Sequence, residues 1–257
     1  MSSLYHATGI VLGSRDHREA DRWHTIYTKE HGKLEVLARG GSKALAKLTP
    51  HLDSPAEVHL LIVRGRQYDT VAGVERLHAF PRSQADFARL LLLQNAFALL
   101  AMGTHTEERD ERLYNALLEW CQFVEEAEVF SEERSGFVFG SFGLKLLGLR
   151  GYHPELRSCL GCREGIVAGA FRWHAPKGGV VCEACTAKDP EQWFAARQIP
   201  DEAVKLMRYA LQEPFPALAR PSLSGSALQA FHETVESLIV AHFPLIPAAS
   251  LRGACIV

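Results

Sequence analysis

This sequence has no long hydrophobic run. Its longest charge-free segment, Leu90–Thr106, is seventeen residues and includes Gln94, Asn95 and His105, too short and too polar to span a bilayer. The opening "MSSLYHATGIVLGSRD" lacks a basic segment leading into an apolar one, so it does not read as a signal peptide. Cys255 stands third from the end where prenylation needs the fourth. The expectation is a cytoplasmic protein with reduced thiols and no membrane partner.

Net charge is scarce as well, at −2 over 257 residues, which excludes a strong global attraction to nucleic acid or membrane. The charge is uneven, however. Residues 1–80 hold eleven Lys/Arg, nine Asp/Glu and seven of the twelve histidines, while the remainder holds 17 Lys/Arg against 21 Asp/Glu. Any contact with a polyanion is therefore expected in the first third. With 47% hydrophobic and 23% charged residues the chain has the make-up of a folded globular protein.

Catalytic signatures are missing too. There is no Walker A motif, no G-x-G-x-x-G and no G-x-S-x-G; "GSFG" at 140–143 comes nearest, in an apolar helical setting that favours packing. A zinc deaminase needs His-x-Glu and Pro-Cys-x-x-Cys. The run from His17 to Glu19 supplies the first, but Ser158 and Val181 stand before the two Cys-x-x-Cys pairs. Cys121 falls on an apolar helix face and reads as core. Glu125 and Glu126 read as part of a solvated acidic face. The expectation is a binding protein, not an enzyme.

What is present begins with strands. "HATGIVLGS", then a polar loop "RDHREAD", then "RWHTIYTKEHGKLEVLARG" split by a turn at Gly32, give three; "SPAEVHLLIVRGRQYDTVAGVERLHAF" gives two more around Arg64–Arg66. Leu34, Val36 and Ala38 alternate with Lys33, Glu35 and Arg39, the period of a half-buried strand. Five short strands in about 80 residues suggest a small barrel of OB-fold type, with an SH3-like barrel as the alternative.

Helical spacing takes over at Ser83, read as an N-cap with Asp86 behind it. Leu90, Leu93, Phe97 and Leu100 line one helix; Leu113, Leu117, Trp120, Cys121 and Val124 line the next. Between Glu107 and Arg134 lie ten Asp/Glu and three Arg, an acidic outer face. In "GFVFGSFGLKLLGL", Gly136, Gly140 and Gly143 allow a neighbouring helix to approach closely. "DEAVKLMRYAL" and a long helix opening at Ser226, with Leu228, Phe231, Val235, Leu238 and Ile239 inward, complete the pattern, separated by Pro214, Pro216 and Pro221.

Between those helices stands Cys159-x2-Cys162-x19-Cys182-x2-Cys185. Each pair lets one tight turn aim two sulfurs at one point, and two such turns complete a tetrahedral four-sulfur zinc site. Turn residues around Pro176–Gly179 predict a hairpin that brings the pairs together. His153 and His174 are potential substitutes for one ligand and read as bystanders. A four-cysteine site is coordinatively closed, so one structural Zn2+ is expected, ordering a segment with too little core to fold alone.

Cations suited to phosphate cluster at the loops of the strand region: Arg15 and Arg18 at the first, with Arg22 near them; Arg39, Lys43 and Lys47 after the third strand; Arg64 and Arg66 at the fourth turn. Trp23, Tyr27 and Tyr68 either stack on bases or fill the barrel core, and both readings stand.

Two stretches resemble the RecO family of bacterial recombination mediators: "GIVLGSRDHREADRWHTIYTKEHGKLEVLARGGSK" and "FGLKLLGLRGYHPELRSCLGC…AGAFRWHAPKGGVVCEAC". The resemblance implies an α+β multidomain protein, with an N-terminal five-stranded OB-fold β-barrel followed by an α-helical bundle bearing an inserted four-cysteine zinc module. It places the DNA-binding OB-fold at 1–80, the first part of the helical domain at 81–152, the zinc module at 153–190 and the second helical part at 191–257. It implies Cys159, Cys162, Cys182 and Cys185 as zinc ligands and Arg39 with Lys43 as the loop cations. It further implies binding of single- and double-stranded DNA, annealing of complementary strands, and action with RecR to load RecA onto strands covered by single-strand binding protein, in the cytoplasm at the nucleoid. An adaptor of the same pathway with little DNA binding of its own is the alternative.

Overall fold

A computed structural model describes residues 3–17, 21–40, 49–128, 131–221 and 224–243. The protein is α+β and divides into two compact units, Met1–Ala127 and Glu128–Val257. The helices from Pro81 to Glu126 thus fall in one unit with the strands, whereas the sequence reading groups them with the later helices.

Five strands open the first unit: β1 (Leu4–His17), β2 (Asp21–Thr28), β3 (Gly32–Ala38), β4 (Ala56–Val63) and β5 (Asp69–Ala79). The long β1 is the spine of this sheet, pairing antiparallel with β2 along one edge and with β4 along the other. β3 continues antiparallel from β2, and β5 from β4. β3 and β5 meet in parallel over two residue pairs only, Val36↔Asp69 and Leu37↔Thr70. Leu34, Val36 and Ala38 are buried with Val11, Ile26, Leu60 and Ile62 in one apolar cluster as the period predicts, while Glu35 and Arg39 are exposed. The alternation breaks at Leu37, which is buried on the other face, and at Lys33, which is half-buried.

The first loop is shorter than its polar sequence suggests. The β1–β2 ladder runs on to His17↔Asp21, because the polar residues pair across it. Arg22 bonds Asp16 at 2.9 Å and the Arg15 guanidinium lies 5.8 Å from the Trp23 ring centre. At the next turn Gly32 has φ +68°, and a Cβ there would sit 2.0 Å from the Glu108 carbonyl oxygen. Only glycine meets both demands.

Three helices follow: α1 (Pro81–Ala85), α2 (Phe87–Gly103) and α3 (Glu111–Glu126). The expected cap at Ser83 is corrected. Asp86 caps α2, accepting from the Arg89 backbone N–H at 2.9 Å, while Ser83 is buried within α1. Glu125 departs from the solvated face expected for it, since its carboxylate accepts from Arg82 N, Ser83 N and Ser83 Oγ at 2.7–2.9 Å. Burial would raise that carboxyl, but these hydrogen bonds outweigh it and hold it below its ordinary value. Two buried or half-buried cations finish helices: Arg89 donates to the Val124, Glu125 and Ala127 carbonyls at the end of α3, and Lys33 to Ala101 and Thr104 at the end of α2. Each satisfies orphan carbonyls at the negative end of a helix dipole.

The second unit is built on α4 (Glu132–Leu149), the hairpin β6 (Phe171–His174) and β7 (Gly179–Cys182), the short α5 (Glu183–Lys188) and β8 (Arg197–Gln198), then α6 (Asp201–Gln212) and α7 (Gly225–His242). α4 and α7 pack as the glycine spacing predicts: a Cβ on Gly136 would lie 2.6 Å from the His232 ring, and one on Gly140 2.8 Å from Phe231. The cap of α7 is Ser224, two residues before the expected Ser226, and its side chain accepts from Ala227 N. Among the described residues no helix is long and apolar enough to cross a membrane.

One buried group ties the first unit's stability to pH. His24 on β2 is 1% exposed, and neither ring nitrogen has a hydrogen-bond partner among the described residues. Burial, reinforced by Arg22, lowers its pKa to about 4. Its unfolded form takes up a proton below about pH 6.5, which the folded form resists, so stability falls as pH drops from about 6.5 towards 4. Urea unfolding of wild type and His24→Leu at pH 7 and pH 4 should show the wild type losing more, on the order of 3 kcal/mol. Parallel losses in the two proteins would refute a buried neutral imidazole.

Candidate metal-binding module and nucleic-acid interface

The hairpin does what the turn residues imply. β6 leads through a 3-10 turn at Ala175–Lys177 to Gly178 at φ +62° and returns as β7. That return places Cys182, at the end of β7 and the start of α5, against the first Cys pair. The four sulfurs of Cys159, Cys162, Cys182 and Cys185 all lie within 4.8 Å of one another, and those of Cys162 and Cys182 are 3.9 Å apart. Four sulfurs at Zn–S distances of 2.3 Å in a tetrahedron would be about 3.8 Å apart. The set thus fits one metal ion of that size and preference.

The backbone around the sulfurs fits the same purpose. Cys159 Sγ accepts from the N–H groups of Gly161 and Cys182 at 3.3 Å, and Cys182 Sγ from Cys185 N at 3.4 Å. Burial would raise the Cys159 thiol, but the N–H groups of Cys182, Cys162 and Gly161 bring it down to about 6. Metal-binding cysteines act as thiolates, so this environment favours the ligating form. A Cβ on Gly161 would sit 2.8 Å from Cys185 Sγ, so the turn can pass this close only without a side chain. Trp193, 4% exposed, packs on Cys159 and Val181 and carries the Lys177 ammonium 4.2 Å from its ring centre. Trp173 Nε1 donates to Ser237 Oγ at 2.9 Å, fastening the hairpin to α7.

Both histidines stand outside the sulfur cluster. His174 Nδ1 accepts from Lys177 N and its ring meets Trp193 edge-on, while His153 lies against Gly148. Cys121 is fully buried on α3, and burial pushes its thiol well above the usual range.

In the first unit the expected cations separate into three groups. Arg64 and Arg66, in the β4–β5 turn, line a groove of about 510 Å3 together with Trp23 and Tyr68. Arg15 stands over Trp23 and is paired with Glu35 at 3.0 Å. Arg39 is exposed at the end of β3 and does not line the groove. Arg18, Lys43 and Lys47 lie outside the described residues.

The aromatics divide as well. Tyr27 is wholly buried. Trp23 and Tyr68 are half-buried and meet edge to face at 5.6 Å on the groove wall. The lining also holds Glu35, Asp69 and Glu107, which the sequence reading does not single out. They are distant in the chain and meet only through the fold.

These features define a two-unit α+β protein with a four-cysteine module of metal-binding type in its helical unit. The family described as Recombination protein O N terminal matches residues 1–80, and the one described as Recombination protein O C terminal matches residues 84–252. The chain belongs to the RecO family of DNA repair and recombination proteins. It is 30% identical over 251 residues to the DNA repair protein RecO of Rubrobacter xylanophilus, covering 97% of this chain and 95% of that one. With the protein of the same name from Desulforudis audaxviator it shares 32% identity over 215 residues, 83% and 82% of the two chains.

Thiol chemistry tests the module. In a Cys255→Ser background, a thiol reagent should modify four cysteines per folded chain once metal is stripped by chelator, with Cys121 reacting only in denaturant. Protection of the four without chelator, and its loss with chelator, marks them as ligands. Equal reactivity of all five remaining thiols in the folded chain would overturn both assignments.

Proposed function

We propose that this protein is a recombination mediator that binds single- and double-stranded DNA through the strand region of its first unit. It anneals complementary strands and acts with RecR to load RecA onto strands covered by single-strand binding protein. The strand region is read as an OB-fold, the partly open five-stranded Greek-key barrel whose face and loops take oligonucleotides. Zn2+ is the metal of the four-cysteine module, one ion per chain. The site is closed by four thiolates, so the metal orders the module and leaves no position for a substrate. No catalytic step is assigned to the protein, and its place of action is the bacterial cytoplasm, at the nucleoid.

The observation that carries the DNA reading is the groove at the β4–β5 turn. Two guanidiniums, Arg64 and Arg66, share its lining with the rings of Trp23 and Tyr68. Cations that follow a phosphate backbone beside aromatics that stack on bases are what sequence-tolerant single-strand binding requires. Arg39, exposed just after β3, and Arg15 on β1 are further cations of this unit; Arg18, Lys43 and Lys47 are proposed as phosphate contacts from the sequence alone. Membership of the RecO family and full-length similarity to relatives named DNA repair protein RecO support the same reading.

One feature favours the adaptor reading: the groove's carboxylates offset its cations, so its net attraction for phosphate is small. One titration separates the two. Fluorescence anisotropy of a labelled single strand, at several salt concentrations, should give a log K that falls linearly with log salt. In Arg64→Glu with Arg66→Glu the slope should be shallower by about 1.4, at roughly 0.7 for each phosphate no longer neutralised. Trp23→Ala should keep the slope and lose about 1–3 kcal/mol of stacking. Absence of binding by wild type even at low salt would leave the adaptor reading in its place.

A further inference from the structure

The groove has an excess of carboxylates for a phosphate site. Glu35, Asp69 and Glu107 face two lining cations, Arg64 and Arg66. Carboxylates accept hydrogen bonds and repel phosphate oxygens, so the acidic part of the groove's lining suits a donor-bearing group and the phosphates are left to the basic turn.

Two of the three carboxylates are already engaged. Asp69 accepts from Tyr5 Oη at 2.5 Å and from Gly65 N at 3.1 Å, and Glu35 is paired with Arg15 at 3.0 Å. Glu107 is different. It follows α2 in the left-handed region at φ +61°, held by its own N–H bonding the Lys33 carbonyl at 2.9 Å. Its side chain is exposed and has no ion pair or hydrogen bond among the described residues. One carboxylate with both oxygens open thus lies in the same groove as the rings of Trp23 and Tyr68.

We propose that Glu107 reads guanine in a single strand bound here. The inference rests on the DNA-binding reading above and adds a base preference to it. An unstacked base lying against an aromatic wall presents its Watson–Crick edge to the protein. Guanine alone offers two adjacent donors on that edge, N1–H and the N2 amino group, matching the two oxygens of one carboxylate. Cytosine and adenine each offer an amino group beside an acceptor, and thymine an N–H between two carbonyls. These leave a carboxylate oxygen facing a lone pair. Trp23 and Tyr68 contribute to every base alike, so the discrimination falls to Glu107.

Three labelled strands of equal length test this by anisotropy at fixed low salt: an oligothymidine, the same strand with isolated guanines, and one with inosine at those positions. Inosine keeps N1–H and lacks the N2 amino group. Wild type should bind the guanine strand about tenfold more tightly than oligothymidine, the preference of one good bidentate contact. The inosine strand should fall close to oligothymidine. Glu107→Gln, which replaces one acceptor by a donor, should bring the guanine-to-thymine ratio to about one. Equal affinity of wild type for all three strands, or a guanine preference that survives in Glu107→Gln or with inosine, overturns the proposal while DNA binding stands. Binding to none of the strands removes the DNA reading itself, and this inference with it.

Discussion

Four sulfurs brought within 4.8 Å of one another are the constraint on which the second unit's irregular half depends. At that spacing ionised sulfurs repel strongly, and the repulsion is relieved only by protons or by a cation at their centre. The surrounding backbone favours the cation, since three N–H groups point at Cys159 and hold its thiol at about 6. The apolar cluster over the sulfurs is small, with Cys159, Val181 and Trp193 as its fully buried members. A core of that size orders little chain without help. On the proposed reading of a metal held by these sulfurs, the hairpin β6–β7, the Gly161 turn and the Lys177–Trp193 stack form with the sulfur geometry, and metal binding and local folding are a single event.

The first unit solves a related problem without metal. Its helices α2 and α3 end against side chains from elsewhere in the unit, Lys33 from the sheet and Arg89 from α2. Both cations are drawn out of water, and burial lowers the Lys33 pKa. Their compensation is the set of carbonyls that the helix ends leave unpaired. Glu125 mirrors this at the other pole, capping the backbone N–H groups of α1 with a carboxylate. Charges that a sequence reading assigns to solvent here terminate helices instead.

How much of this was readable in the chain follows from range. The cysteine pairs needed only local spacing and a turn signal, so the sulfur cluster, the hairpin and the two histidines outside the cluster all followed. Strand alternation placed Leu34, Val36 and Ala38 in the core, and glycine spacing placed α4 against α7. Boundaries failed where a side chain had two possible employers. Ser83 and Asp86 both fit a cap, and only Glu125, some 40 residues away, shows why Ser83 is taken up within α1. The polar run 15–21 looked like a loop because cross-strand partners such as Asp16 and Arg22 cannot be paired until the register is known. The groove was half visible: Arg64 and Arg66 could be named, but its carboxylates come from β3, the start of β5 and the segment after α2.

That mixture of charge bears on what the groove is suited to do. A site built on many phosphate contacts would bind tightly, with affinity falling steeply with salt. Here the cations are few, and one of the nearby ones, Arg15, is already paired with Glu35. Stacking on Trp23 and Tyr68 then carries, on the proposed reading, a larger share of the binding. On the proposed reading, a mediator must take hold of a strand and later yield it to the recombinase. Such a task is served by contacts that are individually modest. A deep well of positive charge would oppose release at every turnover, whereas, on this reading, a groove that sets carboxylate beside guanidinium keeps the strand exchangeable.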